Sequence, residues 1–315
     1  MWGILGAGFG LYGHLPAMAQ LNSDPVCVAK KNVEIIEKRQ ELHQFKNRVR
    51  WVDDEQEILR LCDLVVVSVW PKGQEYWIEK CLPYPTVKSL ILEKPLGHSP
   101  ENAKEILTEL FKSKKTFRIN YSFIYTKWYD DLKRLIENYE ITHIAINWTF
   151  SAHHYRQNLD NWKRYKSSGG SVIRFYGIHL IAVMAALGFT QAAYSNTVAY
   201  SEEDIFKWTS GYKNTKGYIA EVLVDSRNSR DSFKITVDYK NKQGTASAFT
   251  IDLKDPFSDL ISLDGLDPRV EVVKKVYFSL EDKNSDASMY NMYQITNELW
   301  AQTEAKSIQS LVNYN

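Results

Sequence analysis

The chain opens on an apolar run, Trp2-Gly3-Ile4-Leu5, that breaks into Gly6-Ala7-Gly8-Phe9-Gly10 and continues as Leu11-Tyr12-Gly13-His14-Leu15-Pro16-Ala17-Met18. Strand, glycine turn and helix in immediate succession are the opening of a doubly wound dinucleotide-binding domain. Gly6 permits the tight turn, Gly8 lets backbone approach a pyrophosphate, and the start of the helix offers N–H groups to the anion. The usual spacing puts a third glycine at Leu11; here Gly10 and Gly13 flank that position. The competing reading is a glycine-rich turn without a ligand.

Apolar runs then alternate with helical stretches. Strands are predicted at 26–29, 49–52, 64–69, 89–92 and 117–119, and helices at 33–44, 54–61, 74–81 and 100–112. Ser99-Pro100 supplies an N-cap followed by proline at the first helical position. This rhythm implies a parallel sheet with right-handed crossovers, in which Leu64-Val65-Val66-Val67, apolar on both faces, is a central strand. The first domain is therefore placed at 1–119.

From residue 120 the rhythm changes. A helix is predicted at 128–138, a strand at 141–150, a helix at 172–187, and strands at 192–200, 218–225, 233–238 and 246–251. Asn241-Lys242-Gln243-Gly244 reads as a turn, and 289–311 as a terminal helix docked through Tyr290, Tyr293, Leu299 and Trp300. The expected fold class is α/β, a Rossmann domain followed over 120–315 by an α+β domain with an open, mainly antiparallel sheet.

With 39 basic and 38 acidic residues in 315, the formal charge of +1 gives no global field for nucleic acid or anionic membrane. Small-molecule partners are expected instead. Cys27, Cys62 and Cys81 are odd in number and widely spaced, which argues against a disulfide framework or a zinc site; no metal is expected. No signal peptide and no apolar run of membrane-spanning length is visible, so a cytoplasmic protein is expected.

At the end of the fifth strand Leu90-Ile91-Leu92 gives way to Glu93-Lys94-Pro95. Ligands of open parallel sheets collect at the carboxyl ends of strands, so Lys94 faces the cofactor crevice; the alternative is a surface lysine paired with Glu93. With the glycine turn, His14 after it, and Pro71 behind the fourth strand, this triplet resembles the Gfo/Idh/MocA oxidoreductases, which include glucose-fructose oxidoreductase and inositol dehydrogenase. The resemblance spans nearly the whole chain. It implies an NAD(P)-dependent enzyme moving a hydride between nicotinamide and a secondary alcohol or ketone of a sugar, sugar derivative or cyclitol. The family also contains a transcriptional repressor, so a nonenzymatic sensor of dinucleotide and sugar is the alternative.

The resemblance nominates Lys94 beside the reacting carbon, where a cation stabilises a developing oxyanion. Cofactor contacts are expected from Gly6, Gly8, Phe9, Gly10, Pro71, Glu93, Lys94, Pro95 and Asn120, and a substrate contact from Tyr121; Trp70, where the chain departs from the family's Thr-Pro-Asn, is expected to pack beside the nicotinamide. In the second domain the resemblance matches the segment Asn161-Trp162-Lys163-Arg164-Tyr165 before Gly169-Gly170, and substrate contacts are expected from His153, Trp162, Arg164 and Phe175. Aromatic faces there suit sugar C–H surfaces, and Arg164 suits a phosphate or carboxylate. The family places an aspartate four residues before a histidine; the histidine is His179, and Phe175 occupies the aspartate position. Two proton-transfer schemes follow: His179 moves the proton directly, or Tyr176 does so with Lys94 lowering its pKa. Core packing of His179 is the alternative to both.

Cofactor preference is read at the end of the second strand, where an acid would bind the ribose diol. Lys30 and Lys31 stand there, which modestly favours NADP(H) over NAD(H); Glu34 is the candidate acid if the turn is longer. A homodimer or homotetramer is implied by resemblance alone.

Overall fold

The computed structural model describes residues 1–241, 243–261 and 265–313. Its first sheet has six parallel strands: β1 (Trp2–Gly6), β2 (Val26–Ala29), β3 (Val49–Val52), β4 (Leu64–Ser68), β5 (Ser89–Leu92) and β6 (Thr116–Ile119). Their order is β3-β2-β1-β4-β5-β6, so the direction of winding reverses between β1 and β4. Every residue of β4 is buried, as its continuous apolar run requires.

The intervening helices span Leu15–Leu21, Val33–Lys38, Glu55–Leu61, Pro71–Cys81 and Pro100–Ser113. Asp54 precedes its helix as an N-cap, accepting the Glu57 N–H at 2.8 Å. Pro71 occupies the first helical position, three residues before the predicted start. The single helix expected over 33–44 is broken at Arg39, and Gln40–Arg48 continues as a 3₁₀-helix. Leu42 and Phe45, three apart, are buried together there, a spacing that 3₁₀ geometry aligns.

Two compact units divide the chain: Met1–Gly97 with Lys104–Ser122 and Leu260–Met289, and His98–Ala103 with Phe123–Asp259 and Tyr290–Asn315. The return segment Leu260–Met289 belongs to the first unit although it lies far beyond residue 119 in sequence. Its helix Val270–Glu281 buries Val272, Val273 and Val276 within the first unit, and Tyr277 stacks on Trp2 at 5.4 Å. Arg118 of β6, fully buried, bonds Ser279 Oγ at 3.1 Å and Asp286 at 2.6 Å.

The second unit is built on seven strands: β7 (Glu140–Ser151), β8 (Phe189–Ala199), β9 (Ile205–Asn214), β10 (Ile219–Asp225), β11 (Arg227–Lys240), β12 (Ala246–Leu253) and β13 (Ser307–Leu311). Their order is β12-β11-β7-β10-β9-β8-β13. The β7–β10 and β8–β13 pairs are parallel and the others antiparallel, a mixed, mostly antiparallel sheet. Helices Lys127–Asn138, Ile178–Ala186 and Asp286–Ala305 accompany it.

Three features of this unit depart from the sequence reading. Strand β9 was absent from it, because Ser210-Gly211 interrupts the alternation of Trp208 and Tyr212. The terminal helix stops at Ala305, and Ser307–Leu311 is a strand beside β8. Finally, Val172–Gly177 is a π-helical turn before the α-helix Ile178–Ala186, so a strict four-residue spacing does not describe that junction. In the turn at 241–244, Asn241 Oδ1 accepts the N–H groups of Gln243 and Thr245, while Lys242 lies outside the described residues.

Candidate functional site

The glycine turn forms because no side chain fits it. Gly6 has φ +111°, and a Cβ there would stand 2.2 Å from Ser68 O. At Gly10 a Cβ would lie 3.0 Å from both Ile4 and Ser68, so this glycine brings the helix close against β1 and β4. Gly8, with φ +55°, meets nothing within 4 Å. A turn closed towards the sheet and open at Gly8 is the cradle that a pyrophosphate needs.

Next to it, the end of β5 is locked by Gln74, a fully buried residue of the helix after β4. Its Nε2 donates towards Glu93 O (2.8 Å), Leu96 O (3.0 Å) and Pro95 O (3.1 Å), and its Oε1 accepts the Glu93 N–H at 2.6 Å. Lys94, half-buried, leaves from the middle of this clamped segment, whose Lys94–Pro95 peptide is cis.

Glu93 is held by partners within the unit. Its Oε1 accepts from His14 Nε2 at 2.9 Å and from Asn120 Nδ2 at 3.0 Å. Burial pushes this carboxyl up, but His14, Asn120 and the Lys94 charge outweigh it and hold Glu93 below the ordinary value. His14 is fully buried, and its Nδ1 lies 3.0 Å from Tyr277 Oη. Burial keeps that phenol protonated, so Tyr277 donates to Nδ1 and Nε2–H donates to Glu93. A chain Tyr277–His14–Glu93–Asn120 thus fixes the carboxylate that precedes Lys94. Asn120 Oδ1 is buried with no hydrogen-bond partner. The open cradle at Gly8 and this orphaned carboxamide oxygen fit a nicotinamide dinucleotide.

Other residues of this unit follow the expectation unevenly. Trp70 is 45% exposed and lies over Gly73, while Pro71 is buried. Tyr121 is buried, which raises its phenol well above the usual value. Lys30 and Lys31 are exposed, but Lys30 pairs with Asp53 at 2.5 Å and Lys31 pairs with Glu55.

In the second unit the π-helical turn and the helix after it carry an aromatic cluster. Trp162 meets Phe175 edge-on at 5.3 Å, Phe175 meets Tyr176 at 4.7 Å, and Lys163 Nζ stands 5.2 Å from the Phe175 ring. At the position of the family's aspartate the chain therefore builds an aromatic wall with a cation. Tyr176 also contacts Trp148 and Phe150, and burial raises its phenol well above the ordinary value. That shift opposes the scheme in which Tyr176 ionises. His179 is buried and stacks on Phe123 at 4.5 Å with 14° between the planes.

Two expected substrate contacts, His153 and Arg164, stand in different surroundings. His153 is exposed, whereas the adjacent His154 is buried against Tyr155 (4.4 Å) and Tyr176 (6.2 Å). Burial, with help from Lys163, brings His154 down to about 4, so its imidazole is neutral at pH 7. Arg164 is committed within the protein: Nη2 and Nε reach Asp204 Oδ2 at 2.5 and 3.0 Å, and Tyr155 Oη donates to Asp204 Oδ1 at 2.5 Å. Asp204 is 4% exposed and was not foreseen. A carboxylate so deeply buried needs that guanidinium, so Arg164 is held in place beside the aromatic loop.

Residues 1–121 match the family model described as an oxidoreductase family with an NAD-binding Rossmann fold, GFO_IDH_MocA. This segment is similar to the NAD-binding domain of the Gfo/Idh/MocA family. Solved structures extend the fold likeness over the whole chain. A 3-ketoreductase from Actinomadura kijaniata, solved with NADP and TDP-benzene, is 12% identical with a TM-score of 0.70, covering 99% of this chain and 98% of its own. The transcriptional regulator Gal80p from Kluyveromyces lactis is 12% identical with a TM-score of 0.71, covering 97% and 90%. The putative oxidoreductase yvaA from Bacillus subtilis is 14% identical with a TM-score of 0.67, covering 97% and 98%. No curated protein matches the chain in sequence. In the matched segment, Gly6, Gly8, Gly10, Glu93 and Asn120 are the residues whose geometry fits the dinucleotide, and no helix among the described residues is long and apolar enough to cross a membrane.

Proposed function

We propose that the chain is an NAD(P)-dependent oxidoreductase acting on a secondary alcohol or ketone of a sugar, sugar derivative or cyclitol. The observation that carries this reading is the strand-end network, in which Gln74 clamps the Glu93–Leu96 backbone and His14 with Asn120 fixes Glu93. So much buried hydrogen bonding around one lysine is the support expected of a positioned reactive group.

When bound, the nicotinamide supplies or accepts the hydride. Lys94 then donates a hydrogen bond to the substrate oxygen and stabilises charge building there. His179 carries the proton to or from that oxygen, a role favoured over Tyr176 because burial holds the Tyr176 phenol protonated. Trp162, Phe175 and Lys163 offer an aromatic, cationic wall to a polyhydroxylated ligand. The likeness of fold to a 3-ketoreductase solved with TDP-benzene agrees with a sugar derivative as substrate.

NADP(H) is assigned modest preference over NAD(H) on the exposed ammonium groups of Lys30 and Lys31 at the end of β2, where a 2′-phosphate competes for them with Asp53 and Glu55. A cytoplasmic homodimer or homotetramer completes the reading; the three free, buried cysteines suit a reducing compartment.

Phe175 at the aspartate position and the fold shared with Gal80p favour one rival, a dinucleotide-binding regulator without turnover. Purified protein assayed with both nicotinamides against a panel of polyols and ketoses separates the two. Turnover that Lys94→Ala abolishes while cofactor affinity persists supports the enzyme, and tight binding without turnover supports the regulator.

A further inference from the structure

The first turn after the glycines carries Phe9 and Tyr12, and guanidinium groups face both rings. Arg269 Cζ stands 4.5 Å from the Phe9 centroid and 5.8 Å from that of Tyr12, while Arg39 Cζ lies 4.5 Å from Tyr12. Arg269 comes from the return segment, at the start of the helix Val270–Glu281. Its Nε and Nη2 bond the two Asp267 oxygens at 2.8 and 2.7 Å, and its backbone N–H donates to the same carboxylate at 2.9 Å.

That arrangement fixes the direction of the guanidinium: two of its five N–H donors go to Asp267, and Tyr12 also lies within hydrogen-bonding reach of the group. The side chain is nevertheless 35% exposed. Packing against Phe9 alone could be met by any apolar residue. A permanent cation, braced by an acid and open to solvent, stands instead beside the side chain that follows the open Gly8.

We propose that Arg269 is a further cofactor-binding residue, presenting its remaining N–H donors to the diphosphate of the dinucleotide on the glycine turn. This rests on the dinucleotide reading of that turn. A planar fork suits phosphate oxygens and adds charge-assisted bonds to those of the backbone. It also makes cofactor affinity depend on the return segment, which sequence position alone separates from the glycines by some two hundred and sixty residues.

The test is calorimetric titration of the full chain with ADP and, separately, with adenosine, at low and high sodium chloride. The variants are Arg269→Met, which keeps a stem over Phe9, and Arg269→Lys, which keeps a charge but not the fork. Arg269→Met is expected to weaken ADP about tenfold or more and to flatten its salt dependence, leaving adenosine unchanged. Arg269→Lys loses less ADP affinity and again none for adenosine, and it decides the matter if the Met variant does not fold. Wild-type ADP affinity in the folded variants, or equal losses for ADP and adenosine, overturns the role of Arg269. Failure of the wild-type chain to bind ADP overturns the dinucleotide reading itself, a different and separately visible result.

Discussion

Gln74→Leu removes the clamp at the end of β5 with little change in side-chain volume. The carboxamide has two N–H donors for three carbonyl oxygens, Glu93 O, Pro95 O and Leu96 O, and one oxygen for the Glu93 N–H. Three full hydrogen bonds are therefore lost at a fully buried position. At roughly 1–1.5 kcal/mol for each bond, the loss comes to about 3–4 kcal/mol, a large part of what a domain of this size has. Lys94 leaves from the same backbone, and a shift of its ammonium by about 1 Å is enough to cost on the order of a hundredfold in turnover. Urea unfolding followed by fluorescence, together with steady-state turnover below the transition, reads both effects. Gln74→Glu is the harsher companion, since a carboxylate cannot donate to the three carbonyls. A Gln74→Leu protein as stable as wild type, with unchanged turnover, would refute the idea that this residue holds Lys94 in place.

Three further outcomes are expected. Ser171 has φ +70° and ψ 171°, a region natural to glycine, and its buried Oγ has no partner, so Ser171→Gly should raise stability by about 1 kcal/mol after the added chain entropy of glycine; a lower urea midpoint would contradict this. Because Glu93 is held below its ordinary value of 4.5, its stabilising contribution is full above that pH and is lost as pH falls through the folded-state value, so Glu93→Gln should shallow the acid limb of the stability profile; an unchanged limb would place the acid sensitivity elsewhere. Replacing Lys30 and Lys31 together by glutamate should move the ratio of NADPH to NADH affinity towards NADH by about tenfold, measured by cofactor fluorescence, and an unmoved ratio would remove these lysines from cofactor choice.

Much of the first sheet and its helices was legible because their signals are local. The glycine turn, the apolar β4 and the Ser99-Pro100 helix start each depend on neighbours in sequence, and each stands where the pattern put it. The support of the site was not legible, because it depends on distant residues. Nothing in the run around Tyr277 announces a partner for His14, 263 positions away, and Gln74 carries no mark of binding the backbone beyond β5. The contrast between exposed His153 and buried His154 shows a different limit. They are adjacent on the single helical turn His153–Arg156, and only the packing of Tyr155 and Tyr176 decides which ring turns inward. Arg164 looked available because its partner Asp204 stands 40 residues away on another part of the chain. At 172–177 the widened turn left Phe175 and His179 out of simple helical phase, which no residue in Val172-Ile173-Arg174-Phe175-Tyr176-Gly177 announces.

Hydride transfer is the central claim, and isotope transfer tests it most directly. NADPH carrying deuterium at the nicotinamide C4 position is incubated with the protein and a panel of ketoses and sugar-derived ketones, and the products are read by mass spectrometry and NMR. The account predicts deuterium on a newly formed carbinol carbon, lost in Lys94→Ala and strongly reduced in His179→Asn. Tight NADPH binding with no deuterium passed to any carbonyl compound would contradict it.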